Sequence, residues 1–176
     1  MKYSAIKWND IANGPGIRTS VFVSGCRWHC PECFNSEAWD FNHGRDFDDS
    51  MIRFINESLD SPFISGLTIL GGEPMEPENQ KSVLDLILSV REKFGNTKSI
   101  WIYTGCVLET HLLPEISFYH TDYTNDILKN IDVLVDGPFK KDLYDISLKF
   151  RGSRNQRILD MKTGKDLTLE GEKYHV

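Results

Sequence analysis

The chain has 176 residues, of which 40% are hydrophobic and 26% charged, the size and composition of one folded domain with a single core. Its formal net charge of −6 at pH 7 excludes a non-specific nucleic-acid binder, which needs a clustered cationic surface. No apolar run approaches the roughly 18 residues of a membrane span, and the start MKYSAIKWND lacks the apolar core of a secretory signal, so a cytoplasmic location is expected.

In chain order, TSVFVSG (19–25) reads as a strand of β-branched and aromatic residues. DDSMIRFINESL (48–59) reads as a helix with Met51, Ile52, Ile55 and Leu59 on one face. GLTILGG (66–72) is a second strand. EPENQKSVLDLILSVREKFG (76–95) is the clearest helix: Pro77 suits its first turn, Val83, Leu84, Ile87, Leu88 and Phe94 form an apolar stripe, and Gly95 can cap it. SIWIYTG (99–105) is a third strand, DYTNDILKNI (122–131) a helix, and DVLVDGPF (132–139) a fourth strand ending in a turn. QRILD (156–160) is a candidate fifth strand and DLTLE (166–170) a weak last one.

Helices alternating with short β-rich runs point to βα units and a parallel sheet in one domain spanning 1–176. The unusual residues follow the strands: the cysteines after the first, GGEP (71–74) after the second, YTG (103–105) after the third and DGPF (136–139) after the fourth. In a parallel β/α barrel the C-terminal strand ends share the face that carries the site. A closed barrel takes about 250 residues, so the expected fold is a short, open, partial β/α barrel with a mainly parallel sheet.

Cys26, Cys30 and Cys33 follow the pattern C-x3-C-x2-C. An odd count in a reducing compartment argues against disulfides. A structural zinc site closes with four ligands, and its fourth would have to be His29, inside the loop, or the distant Cys106. Three cysteines suffice to hold three irons of a 4Fe–4S cluster and leave the fourth open for a small molecule. Spacing alone favours iron–sulfur and leaves zinc and a chance cluster as alternatives.

The other candidates have bland readings beside the functional ones. Gly71 and Gly72 suit close backbone approach to a ligand, Glu73 could accept from a cationic amino group, and Pro74 would stiffen the turn; equally, GGEP is ordinary turn chemistry. Thr104 and Asp136 are either site residues or a strand-end hydroxyl and an Asp-Gly turn. Arg151, Arg154 and Arg157 either close the cofactor site, dock a partner, or form a solvated basic loop; Arg18 is similarly ambiguous. His43, His111, His120 and His175 have no metal-ligand spacing, the four tryptophans read as packing, and Cys106 reads as a buried small hydrophobe.

C-x3-C-x2-C followed by an aromatic residue resembles the signature of radical S-adenosylmethionine enzymes. The segments NGPGIRTSVFVSGCRWHCPECFN (13–35), GGEP, IYTG, DVLVDGPF and RGSRNQRILD (151–160) together resemble the family of activating proteins of anaerobic ribonucleotide reductases, in order and over nearly the whole chain. The resemblance implies an oxidoreductase in which Cys26, Cys30 and Cys33 hold a 4Fe–4S cluster whose open iron chelates S-adenosylmethionine. It places Glu32 and Phe34 on the adenine side, Phe34 standing where the family usually has Tyr. It makes GGEP the second cofactor motif, and sets Thr104 and Asp136 around the methionine and ribose parts. The implied reaction is reductive cleavage of S-adenosylmethionine and abstraction of hydrogen from a glycine of the large reductase subunit. The implied electron donor is of flavodoxin or ferredoxin type, and the family works as a dimer or in complex with its reductase. Rival readings are an activase for another glycyl-radical enzyme, a small-molecule radical enzyme, and an electron-transfer or zinc-clipped binding protein.

Overall fold

A computed structural model describes residues 1–169. Its strands are β1 (Lys2–Asp10), β2 (Ile17–Val23), β3 (Arg45–Asp46), β4 (Ile64–Gly71), β5 (Ser99–Tyr103), β6 (Val133–Asp136) and β7 (Arg157–Asp160). They form a single open sheet in the order β3-β1-β2-β4-β5-β6-β7. The helices are α1 (Asp49–Leu59), α2 (Pro77–Phe94) and α3 (Thr124–Asn130).

The expectation of a mainly parallel sheet is narrowed. β2, β4, β5 and β6 run parallel, joined through α1, α2 and α3, whereas β1, β3 and β7 add antiparallel edges. The sheet ends at β3 and β7 and does not close. β1 was not expected: most of its residues are at least partly exposed, it carries Lys2 and Lys7, and register shifts interrupt its alternation. The strand expected at 166–170 is corrected to a 3-10 turn over Leu167–Leu169, with only Asp166 bridging Leu159; Glu170 lies outside the described residues.

Local chemistry sets the helix ends. The Asp48 side chain accepts from the Ser50 and Met51 amides and caps α1. Pro77 opens α2, and Gly95 at φ 57° ends it with its amide on the Arg91 carbonyl. All three helices pack on one face of the sheet. There Val21, Leu67, Ile69, Ile100, Ile102 and Leu134 meet Ile55, Leu59, Val83, Ile87 and Ile127 in the main core. Because side chains alternate along a strand, Trp101, Val133, Val135 and Ile158 point to the other face, where Tyr103, Phe150 and Leu167 pack on them.

Arg18 lies on β2 and is fully buried. It donates to Thr68 Oγ1 (2.6 Å), the Leu67 carbonyl (2.7 Å) and both the hydroxyl (2.9 Å) and carbonyl (3.0 Å) of Ser99, and its guanidinium sits 5.5 Å from the Trp101 ring. Burial pulls its pKa down to about 10. Thr68 in turn donates to the Asn13 carbonyl, so Arg18 pins the 11–16 loop to the start of β4 and β5. Its ambiguity resolves towards scaffolding.

Candidate functional site

Parallel neighbours bring the ends of β2, β4, β5 and β6 to one edge of the sheet, with Val23 beside Gly71 and Tyr103 beside Val135. Backbone bonds then knit the segments beyond those ends. The Gly72 amide donates to Val23 (2.7 Å), Glu73 to Gly25 (2.8 Å), Thr104 to Val135 (2.9 Å) and Gly137 to Cys106 (2.8 Å). Above this edge lies a cavity of about 460 Å³.

Cys26, Cys30 and Cys33 all line it, as do Glu32, Phe34, Gly71, Gly72, Glu73 and Thr104. Pro74 and Asp136 do not; both are buried behind the wall. The three cysteines are free thiols, Cys26 buried and the others half-buried. Burial, reinforced by the Glu73 charge, pushes the Cys26 thiol up to about 12, and burial also raises that of Cys30. Such thiols stay protonated until a cation compensates the thiolate, as a coordinated metal does. Among the described residues no three His, Cys, Asp or Glu side chains converge to hold a single metal ion. A multi-iron cluster takes each thiolate on its own iron and does not need that convergence, so the donor set suits a cluster better than a closed zinc site.

The cysteine loop is held from several sides. The Cys26 amide donates to the Trp39 carbonyl (3.1 Å). His29 and Glu32 adopt positive φ (44° and 57°), and His29 stacks on Trp39 at 4.5 Å. Arg27 was not singled out by the sequence. Its amide and guanidinium both reach the fully buried Glu76 (2.7 and 2.5 Å), its other edge pairs with Glu78 (2.6 Å), and the rings of Phe41 and Phe118 flank it. The loop is thereby clamped to the first turn of α2.

The glycines are required by neighbouring chain. A Cβ on Gly71, at φ 112°, would lie 2.7 Å from Phe22 Cα, and one on Gly72 would lie 2.6 Å from the Gly25 carbonyl oxygen. Glu73 is buried, and its carboxylate accepts from Thr104 Oγ1 (2.7 Å), the Met75 amide (2.8 Å) and the Gly105 amide (2.7 Å). Burial pushes its pKa up to about 7 against the pull of those donors. Thr104 Oγ1 also accepts from the Cys106 amide. Cys106 is buried away from the cavity, and burial raises its thiol strongly. Asp136 accepts from Arg157 (2.9 and 2.5 Å) and from the Leu108 amide (2.9 Å), tying β6, β7 and the π-helical turn over Leu108–Leu112 together.

The three arginines of RGSRNQR separate. Arg151 lines the cavity, Arg154 pairs with Asp145 at 2.8 Å, and Arg157 pairs with Asp136 and Glu109. Further lining comes from Asn13, Tyr103, Phe139, Tyr144, Phe150 and Gln156. Of these, the residues between β6 and β7 lack any periodic signal, and only the cluster of Arg, Asn and Gln pointed towards them. No helix among the described residues is long and apolar enough to cross a membrane.

A family model described as a 4Fe-4S single cluster domain matches residues 12–159. The anaerobic ribonucleoside-triphosphate reductase-activating protein of Enterobacteria phage T4 is 34% identical over 158 residues, covering 90% of this chain and 93% of that protein. The protein of the same name from Escherichia coli K12 is 38% identical over 151 residues, covering 85% and 92%. That of Pasteurella multocida is 37% identical over 160 residues, covering 90% and 96%.

Proposed function

The chain belongs to the family of anaerobic ribonucleoside-triphosphate reductase-activating proteins, with their 4Fe-4S single cluster domain, and we propose that it is a glycyl-radical activase for such a reductase. The observation that carries this reading is the delivery of three free thiols, at C-x3-C-x2-C spacing, into one cavity shared with the GGEP and YTG strand ends. Cys26, Cys30 and Cys33 are assigned as cluster ligands and S-adenosylmethionine as the second cofactor. Bound there, the two supply one-electron chemistry that ends with a hydrogen atom taken from a glycine of the reductase.

The chain's own residues orient and shield. Arg27 holds the ligand loop on Glu76, so the thiols stay fixed relative to α2. Gly71, Gly72 and Pro74 bring the end of β4 against that loop. Glu73 fixes Thr104 and Gly105, setting the opposite wall, and Asp136 holds the next strand end through Arg157. Glu32 and Phe34 stand at the mouth, on the proposed adenine side, with Glu32 tethered to Lys141. The open sheet serves as an incomplete barrel in a single domain, its helix-free face turned to the cofactors. A cytoplasmic location, a flavodoxin- or ferredoxin-type donor and a homodimer belong to the same proposal.

The test is anaerobic cluster reconstitution, reduction and addition of S-adenosylmethionine, with and without an anaerobic reductase. The expected result is 5′-deoxyadenosine and a glycyl-radical doublet in electron paramagnetic resonance. Absence of 5′-deoxyadenosine under every condition refutes the radical reading; turnover with no doublet refutes the reductase as substrate. Cys30→Ala should lose the cluster's visible absorbance and the turnover together.

A further inference from the structure

The connection between β6 and β7, residues 137–156, forms a hook of its own. Tyr144 bridges Ser153 antiparallel, Arg154 donates its amide to the Leu143 carbonyl (2.9 Å), and Asp145 pairs with Arg154 across the hook. At its base Asn155 donates to the Pro138 carbonyl (2.8 Å) and Gln156 to that of Gly137 (3.1 Å). Its inner side chains Phe139, Leu148 and Phe150 line the cavity, so the hook's tip stands at the mouth. Three large apolar side chains are bare there: Tyr144 and Phe34, both in the cavity lining, are 57% and 85% exposed, and Ile146, two residues beyond Tyr144, is 87% exposed. Large exposed apolar side chains grouped at one opening mark a contact surface.

The hook also inverts the chain's charge. Residues 140–154 carry Lys140, Lys141, Lys149, Arg151 and Arg154 against Asp142 and Asp145, in a chain of net charge −6. Asp145 takes Arg154, and Glu32 takes Lys141. Lys140 is exposed and has no ion-pair partner among the described residues.

Resting on the activase reading, we propose that this hook is the docking surface for the protein substrate. An acidic and apolar segment of the reductase lies over Ile146 and Lys140 and presents its glycine backbone to the cavity. A folded protein cannot enter about 460 Å³ bodily, so only a short turn reaches in and its flanks must rest on the rim. A second copy of this chain seated there would instead shut the mouth against that turn. The basic hook selects an acidic flank by charge and speeds the encounter.

The test compares Ile146→Asp, Lys140→Glu and the conservative Lys140→Arg, each reconstituted anaerobically. Binding to the reductase large subunit is measured by interferometry at low and high salt, and 5′-deoxyadenosine formation without reductase is measured alongside. Ile146→Asp should weaken binding about tenfold or more, as loss of an apolar anchor does. Lys140→Glu should weaken it several-fold at low salt and less at high salt, while Lys140→Arg binds normally. Reductase-free cleavage should stay within about twofold in all three, since neither side chain lines the cavity. Unchanged binding with cleavage intact overturns the docking assignment alone. A wild-type protein that cleaves no S-adenosylmethionine overturns the activase reading and the assignment with it. Loss of self-association, with reductase binding intact, makes the hook a contact between copies and overturns the assignment.

Discussion

Replacing Arg27 by Ala should loosen the cysteine loop without touching a cysteine. Glu76 is fully buried, while the Arg27 side chain is 43% exposed. Stripping the partner from a buried ion pair costs about 3–5 kcal/mol, and the half-exposed arginine lowers that to about 2. The rings of Phe41 and Phe118, 4.5 and 5.3 Å from the guanidinium, add about 0.5 kcal/mol each, and the exposed Glu78 pair adds a few tenths at most. The expected loss is about 3 kcal/mol, moderated because the Arg27 amide keeps its bond to Glu76. Urea unfolding of the cluster-free, reduced protein measures it. A double-mutant cycle with Glu76→Gln should return a coupling of about 2 kcal/mol. After reconstitution, the variant should also surrender iron to a chelator faster than wild type. A loss below about 0.5 kcal/mol with no coupling would refute the clamp, because surface pairs give that much.

Gly72→Ala places a methyl 2.6 Å from the Gly25 oxygen and 2.9 Å from that of Ala38, two carbonyls already bonded to their neighbours. We expect about 1–3 kcal/mol of destabilisation and reduced iron incorporation, since Gly25 adjoins Cys26; thermal unfolding and iron content check this, and normal values for both would show that the wall yields freely. The Glu73 carboxyl, pushed up to about 7 from an ordinary 4.5, keeps its proton in the folded chain after the unfolded chain has lost it. Stability of the cluster-free protein from this group therefore falls as pH rises from about 4.5 to 7, by something on the order of 3 kcal/mol. Glu73→Gln cannot titrate, so its stability relative to wild type should improve by that order between pH 5 and 8 in urea unfolding; parallel profiles would reject the shift.

The path from sequence to site ran through strand ends. β-branched runs stopping at Gly-Gly, Thr-Gly and Asp-Gly marked where β4, β5 and β6 finish, and parallel order put those ends together without further information. α2 was legible because Pro77 and Gly95 punctuate its apolar stripe. β1 was not, since an irregular and mostly exposed strand leaves no alternation to read. The hook between β6 and β7 escaped for a related reason: its order comes from side chain to backbone bonds, such as Gln156 to Gly137, which no period announces. Arg27 and Glu76 stand 49 positions apart, and only the fold makes them partners. Thr104 lines the cavity and Asp136 lies behind its wall, and both are bonded to the protein itself, Thr104 to Glu73 and Asp136 to Arg157.

The same internal bonding suits the cavity to radical chemistry. Near its wall the polar side chains are mostly engaged with one another: Glu73 with Thr104, Met75 and Gly105, Asp136 with Arg157 and Leu108, and Asn79 with the Ser24 and Glu73 carbonyls. Of the charged side chains in the lining, Glu32 is tethered to Lys141 and Arg151 donates one nitrogen to the Arg154 and Gln156 carbonyls. Besides these engaged groups, the lining consists mainly of three thiols, backbone, Leu70, Leu148 and the rings of Trp28, Phe34, Trp39, Tyr103, Phe139, Tyr144 and Phe150. A mostly apolar lining offers water few partners, which limits one route for side reactions. The polar residues at the strand ends therefore serve the chemistry by locking the walls, while selectivity for the substrate has to reside at the rim, where the hook and the exposed Phe34 ring stand.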